Sequence, residues 1–227
     1  MEFILDLSNI DTERYFIVGD LLGDYDRLIN MLYQQKFSYK DTLIFTGNLI
    51  NPEMEDTMEN EHQLSSVLFL RNSMNAYSVK GKNEFSLIRK IQSSGMPKWL
   101  ESNPKNQEII KFIDELPLII RVSDSIFVVN AGVQPDLSMG EQDKEVFYSI
   151  GDYDEDSRFY QFDNPERKSW YEFEIYDGST PSKFCFGGKG LSSVEQPAGY
   201  SLGRSSDGAM MSLVVRKNKT DPIIIQS

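Results

Sequence analysis

Four short blocks hold most of the residues in this chain that could do chemistry: Gly19-Asp20-Leu21-Leu22-Gly23, Gly47-Asn48-Leu49-Ile50-Asn51, Gly81-Lys82-Asn83-Glu84 and Asn130-Ala131-Gly132. Asp20, Asn48, Asn83 and Asn130 would offer a ring of side-chain oxygens, and such donors suit Mg²⁺ or Ca²⁺ rather than zinc or iron. With a single carboxylate among them, the ring could hold one ion weakly but not a two-metal centre. The sole histidine, His62, lies outside every block and reads as a helix-surface residue. The sole cysteine, Cys185, excludes an intrachain disulfide and any zinc cluster, and it suits a reducing compartment.

The elements that must position these blocks are legible in the apolar pattern. Residues 3–7, 15–18, 42–46 and 76–79 read as short strands, and the last three run into glycine-bearing loops. After Asp24, a natural N-cap, Leu28, Ile29, Met31 and Leu32 give a helix an apolar face. A second helix is expected around residues 62–73. The first half therefore repeats strand, loop and helix three times, with its chemistry at strand ends, where α/β sheets place their sites. Residues 118–122 and 125–129 read as a hairpin-like pair. An antiparallel second half would be completed by strands near residues 184–186, 199–202, 210–215 and 222–225. Residues 141–177 are acidic and rich in Tyr, Phe and Trp. They read as a helical cap or insertion with its aromatics turned inward, or as a partner-binding surface.

Taken in order, the blocks resemble the calcineurin-like metallophosphoesterases, in their diadenosine-tetraphosphatase-like and bacteriophage-type serine/threonine phosphatase branch. The likeness runs from about Tyr15 to Val215 and includes Glu115-Leu116-Pro117-Leu118, Ala131-Gly132-Val133-Gln134-Pro135, Trp170-Tyr171, Tyr176-Asp177-Gly178 and Phe186-Gly187-Gly188. It implies an α/β fold, an αββα sandwich of two mixed sheets flanked by helices, as a single domain over residues 1–227. In that family two metal ions about 3.5–4 Å apart polarise a phosphate and generate hydroxide from water. Asp20 matches the first metal aspartate. Leu22 stands at a metal-histidine position and has no lone pair to give. Asn48 replaces the bridging aspartate, Lys82 a ligand asparagine, and Asn83 the histidine that helps protonate the leaving group. Asn130 and Gly188 stand where two further metal histidines are expected. Asn51 falls on a second aspartate, Pro52 on a phosphate-binding arginine, and Gly151 on another arginine. The resemblance thus implies a degenerate member, with Asp20 the one expected metal ligand retained.

Composition narrows the function further. The 227 residues carry a formal net charge of −12, which disfavours nucleic acid or an anionic membrane as a partner. No signal peptide or membrane-spanning run is evident, so a soluble, cytoplasmic protein is expected. The reading that follows is a pseudophosphatase: no cofactor, no catalysis, and a role in binding another protein. The acidic loop at residues 51–60 makes a basic partner plausible. Two alternatives stand beside it. One is a residual metal-dependent phosphoesterase, of the protein phosphatase or diadenosine-tetraphosphate hydrolase type. The other is a nucleotide or phosphate sensor without turnover, using Lys82 and Lys189. An Asp20–Lys82 ion pair at the old metal position is also expected.

Overall fold

The computed structural model describes residues 3–51, 59–96, 101, 105–135, 137–143, 146–147, 152–153, 159–160, 168–177, 180–187, 195–203, 209–217 and 222–226. Two strands, β1 (Ile4–Asp6) and β2 (Arg14–Val18), precede the first helix, α1 (Tyr25–Gln34). The Asp24 carboxylate caps α1 by accepting from the Arg27 N–H. Next come β3 (Asp41–Phe45), α2 (Glu59–Asn72), β4 (Ala76–Ser78), α3 (Lys82–Ser94) and α4 (Lys105–Asp114). The second half contributes β5 (Ile119–Arg121), β6 (Ile126–Val129), β7 (Asp152–Tyr153), β8 (Phe159–Tyr160) and β9 (Lys168–Ser169). It ends with β10 (Ile175–Asp177), β11 (Thr180–Phe186), β12 (Glu195–Gln196), β13 (Gly199–Ser201), β14 (Met211–Arg216) and β15 (Ile223–Gln226).

β2 and β3 are short runs of large side chains, nearly all buried, as strands covered on both faces must be. They lie parallel at the centre of a sheet ordered β15-β14-β2-β3-β4. Phe16, Val18, Leu43 and Phe45 turn to one face, where α1, α2 and α4 supply Leu28, Met31, Val67, Leu70, Ile109 and Ile113. Tyr15, Ile17 and Ile44 turn the other way and meet Ile120, Val128 and Cys185 of a second sheet. That sheet is ordered β1-β5-β6-β11-β13-β12, with β10 also paired to β11. Its outer face is closed by Phe127, Phe184 and Phe186 against Phe147 and Trp170. Trp170 is fully buried, and its indole N–H donates to the Ala131 carbonyl at 2.9 Å. Two mixed sheets packed face to face, with helices outside, match the architecture expected from the sequence.

Three expectations are corrected. The second half is not antiparallel throughout: β6, β11 and β13 run parallel, and β14 and β15 leave it to join the first sheet beside β2. β1 makes the reverse exchange, pairing parallel with β5. Alternation of apolar residues fixes which face of a strand is buried, and it carries no information on which sheet receives the strand. The aromatic segment at 141–177 is not helical where it is described. It holds the small antiparallel sheet β8-β7-β9 and short 3₁₀ turns at residues 146–147 and Trp170–Glu172, with no α-helix among the described residues. Among the described residues, no helix is long and apolar enough to cross a membrane.

Candidate functional site

Five strands from both sheets end at one place. β2 leads into Asp20, β3 into Thr46-Gly47-Asn48, β4 into Gly81, β6 into Asn130 and β11 into Gly187. Two glycines make this convergence possible. Gly47 has φ of +87°, and a Cβ there would lie 2.7 Å from the Gly81 backbone and 3.0 Å from the Asn130 amide nitrogen. A Cβ at Gly187 would strike both the Asp20 carboxylate and the Thr46 hydroxyl. Leu22 and Asn48 also take positive φ, +51° and +50°. Asparagine tolerates this conformation, whereas for leucine it is a local strain of roughly 1–2 kcal/mol. The Leu22 N–H donates to the Asn48 carbonyl at 2.9 Å, so the first two loops hold each other.

Three asparagines tie these loops together. The Asn48 side-chain N–H donates to Asp20 Oδ1 at 3.2 Å, while Asn48 Oδ1 accepts from the Asn83 backbone N–H at 3.1 Å. Asn130, fully buried, accepts from the Lys82 backbone N–H at 2.9 Å and donates to the Thr46 carbonyl at 2.7 Å. Asn83 donates to the Ile50 carbonyl at 2.7 Å. The Gly187 N–H adds a bond to the Asn130 carbonyl, linking β11 to the group. Each contact joins segments far apart in the chain. A neutral amide suits the task, because it carries a donor and an acceptor side by side.

Glu84 is the functional residue that the sequence did not single out. It is fully buried, and its carboxylate accepts backbone N–H bonds from Asn48 (2.9 Å), Ile50 (3.2 Å) and Gly81 (2.9 Å). Burial pushes it up to about 7, against the opposing pull of those N–H donors. The available signal was its place as third residue of a helix that starts after Gly81, where a glutamate turns back to the helix entrance. Thr46 was missed as well. Its hydroxyl is buried, makes no hydrogen bond among the described residues, and lies beside Asp20 at the Gly187 contact.

The structure gathers Asp20, Asn48, Asn51, Lys82, Asn83 and Asn130 at or beside these strand ends. Leu22 lies there half-buried, and its side chain has no atom that could ligate a metal. Pro52, Gly151, Gly188, Lys189 and most of the 51–60 loop lie outside the described residues, as does the side chain of His62. The expected Asp20–Lys82 pair does not form. Lys82 begins α3 with its side chain exposed, and Asp20 faces the Asn48 amide instead. The backbone N–H of Lys82, bonded to Asn130, fixes that residue as a helix entrance rather than a counter-ion.

These donors do not fit a two-metal centre. Asn48 turns its N–H, not its oxygen, toward Asp20, and the oxygens of Asn48 and Asn130 already accept backbone bonds. Among the described residues, no three His, Cys, Asp or Glu side chains cluster. A bridging site needs a carboxylate between two cations, and the side chain that meets Asp20 at 3.2 Å is the Asn48 amide.

Known structures share this arrangement of strands. A protein assigned as a diadenosine tetraphosphatase superposes with a TM-score of 0.74 at 21% identity, over 100% of this chain and 99% of that one. A serine/threonine phosphatase from Saccharomyces cerevisiae gives 0.57 at 13% identity, over 99% and 82%. A metallophosphoesterase from Sphaerobacter thermophilus gives 0.51 at 11%, over 95% and 88%. No family model and no curated protein matches the sequence. The chain has the fold of the calcineurin-like metallophosphoesterases.

Proposed function

We propose that this chain is a pseudophosphatase: a single phosphoesterase-fold domain over residues 1–227 that has no catalytic activity and works, in the cytoplasm, by binding another protein. One observation carries the reading. The amides at the positions that resemble metal ligands are engaged in bonds between loops, so the groups that would bind metals now hold the strand ends together. Lost anion grip supports it, since the residues that match phosphate-binding arginines are Pro52 and Gly151. The test is hydrolysis of p-nitrophenyl phosphate and diadenosine tetraphosphate in Mn²⁺. No turnover above buffer is expected, and turnover abolished by Asp20→Ala would overturn the reading.

A second reading has one observation in its favour. The buried Thr46 hydroxyl has no hydrogen-bond partner among the described residues and sits beside Asp20, as a ligand to one oxygen-bound ion would. On that reading the chain is a residual phosphoesterase with a single Mg²⁺ or Ca²⁺. Metal analysis after dialysis separates the two: a stoichiometric ion supports residual activity, and none supports the binding module.

A further inference from the structure

The three most exposed large apolar side chains among the described residues are Met74 (92%), Tyr33 (85%) and Tyr39 (83%). All three lie at the end of the first sheet opposite the candidate site. Tyr33 is on the last turn of α1, Tyr39 just before β3, and Met74 in the turn from α2 to β4. Tyr39 and Met74 line a cavity of about 430 Å³ walled by Leu32, Phe37, Leu43, Phe69 and Ala76. That volume lies within the roughly 300–1,000 Å³ of ligand-binding clefts. Apolar side chains left this exposed around a cleft are the residue types that anchor interfaces, with Tyr as rigid contact and Met as adaptable filler.

Most polar side chains in the cavity wall are already engaged. Asp41 is held by Arg14 and Ser38, the Ser73 hydroxyl donates to the Phe69 carbonyl, and the Asn75 amide donates to the Tyr39 carbonyl. An occupant is therefore recognised by apolar contact in the cleft. Charge beside it is not balanced. Asp41 is neutralised by Arg14, and Lys40 is paired with Glu13. Lys36, exposed and next to the wall residue Phe37, has no ion-pair partner among the described residues. On a chain of net charge −12 this end offers its occupant a cation with no ion-pair partner among the described residues, beside an apolar slot.

We infer that this cleft docks a segment of another protein in which an aromatic or long aliphatic side chain is flanked by acidic residues. The anchor enters between Tyr39 and Met74, and an acidic neighbour meets Lys36. Docking at this pole leaves the candidate site open, so one partner can be held without covering the strand ends. The inference deepens the reading of the chain as a binding module and names where the partner sits.

The test is an NMR titration of ¹⁵N-labelled full-length protein with three capped tripeptides: Glu-Phe-Glu, Lys-Phe-Lys and Glu-Ala-Glu. Saturable shifts are expected at the amides of Phe37, Met74 and Asn75 with Glu-Phe-Glu. Its affinity should exceed that of Lys-Phe-Lys by about fivefold or more, and Glu-Ala-Glu should not bind. Lys36→Glu, at an exposed position, should reverse the order of the two charged peptides, and Met74→Glu should weaken both. Absence of saturable shifts, equal binding of Glu-Ala-Glu, or an order unchanged by Lys36→Glu would overturn the inference. So would sedimentation showing that the wild-type cleft is filled by a second copy and freed by Met74→Glu. The two readings fail separately: phosphoester turnover would remove the pseudophosphatase and leave the cleft as it is, whereas failed titrations would remove the docking site alone.

Discussion

The Asn48 side chain meets Asp20 through an N–H···O bond of 3.2 Å. Asn48→Asp would replace that donor with a second carboxylate at the same distance, and two carboxylates so close resist ionising together. A loss of about 2 kcal/mol at pH 7 is expected, diminishing toward pH 4 as the pair takes up a proton. Mn²⁺ should recover part of the loss in this variant and none in the wild type. Urea midpoints with and without the ion measure both effects, and identical midpoints for the two proteins would remove Asn48 from the network. Glu84 poses the opposite problem, a buried carboxyl satisfied by three N–H donors. Its value in the fold, about 7, lies above the ordinary 4.5. The fold thus favours the protonated form, and stability should fall as pH rises from about 4.5 to 7. Glu84→Gln should remove that slope. It should also cost roughly 1–3 kcal/mol, because its NH₂ must face a backbone N–H such as that of Ile50. Denaturation at pH 5 and pH 8 shows both. The glutamate's letter was visible in its block, but its role was not, since burial depends on the Asn48–Ile50 loop closing over it from 34–36 residues away.

At the level of elements, β2 and β3 are joined at their entrance as well as at their exit. Arg14 at the start of β2 forms a two-bond pair with Asp41 at the start of β3, both at 2.8 Å, and Ser38 adds two donors to the same carboxylate. Burial raises Asp41, but the Arg14 and Ser38 bonds together outweigh it and hold it below its ordinary 3.8. Its stabilisation is therefore present above that value and lost as pH falls through and below it. Asp41→Ala should cost about 2–3 kcal/mol at pH 7 and flatten the acid limb of the stability profile below about pH 4. An unaltered acid limb would show that other carboxylates govern it. The same two strands show what was legible in the sequence. Their unbroken apolar runs marked them as central, and the glycines after them marked the loops that carry the site. β14 was legible as a strand and not as a member of the first sheet. Its partner β2 lies almost two hundred residues earlier, and its alternation of Leu213 and Val214 suits either sheet. β1, three residues long, carried still less information on where it would pair.

Across the whole molecule, the strand ends of the two sheets are joined by side chains. Asn130 at the end of β6, in the second sheet, bonds Thr46 and Lys82 from the loops of the first. An amide link of this kind needs no ion, so thermal unfolding should be the same in EDTA as in 1 mM Mn²⁺ or Mg²⁺. The size of the alternative makes the comparison decisive. A resident ion with a dissociation constant near 10 μM would add about 2.7 kcal/mol at 1 mM. For a chain of this length, that is roughly 5–10 °C in Tm. The net charge of −12 makes part of any salt effect nonspecific, so ionic strength must be matched with NaCl. Under those conditions a shift below about 1 °C is expected. A rise of several degrees that disappears in Asp20→Ala would place an ion at the strand ends and would favour the residual phosphoesterase. Asn130→Ala supplies the positive control. It leaves the Lys82 N–H and the Thr46 carbonyl without their partner, and it should lower Tm by several degrees whether or not divalent ions are present.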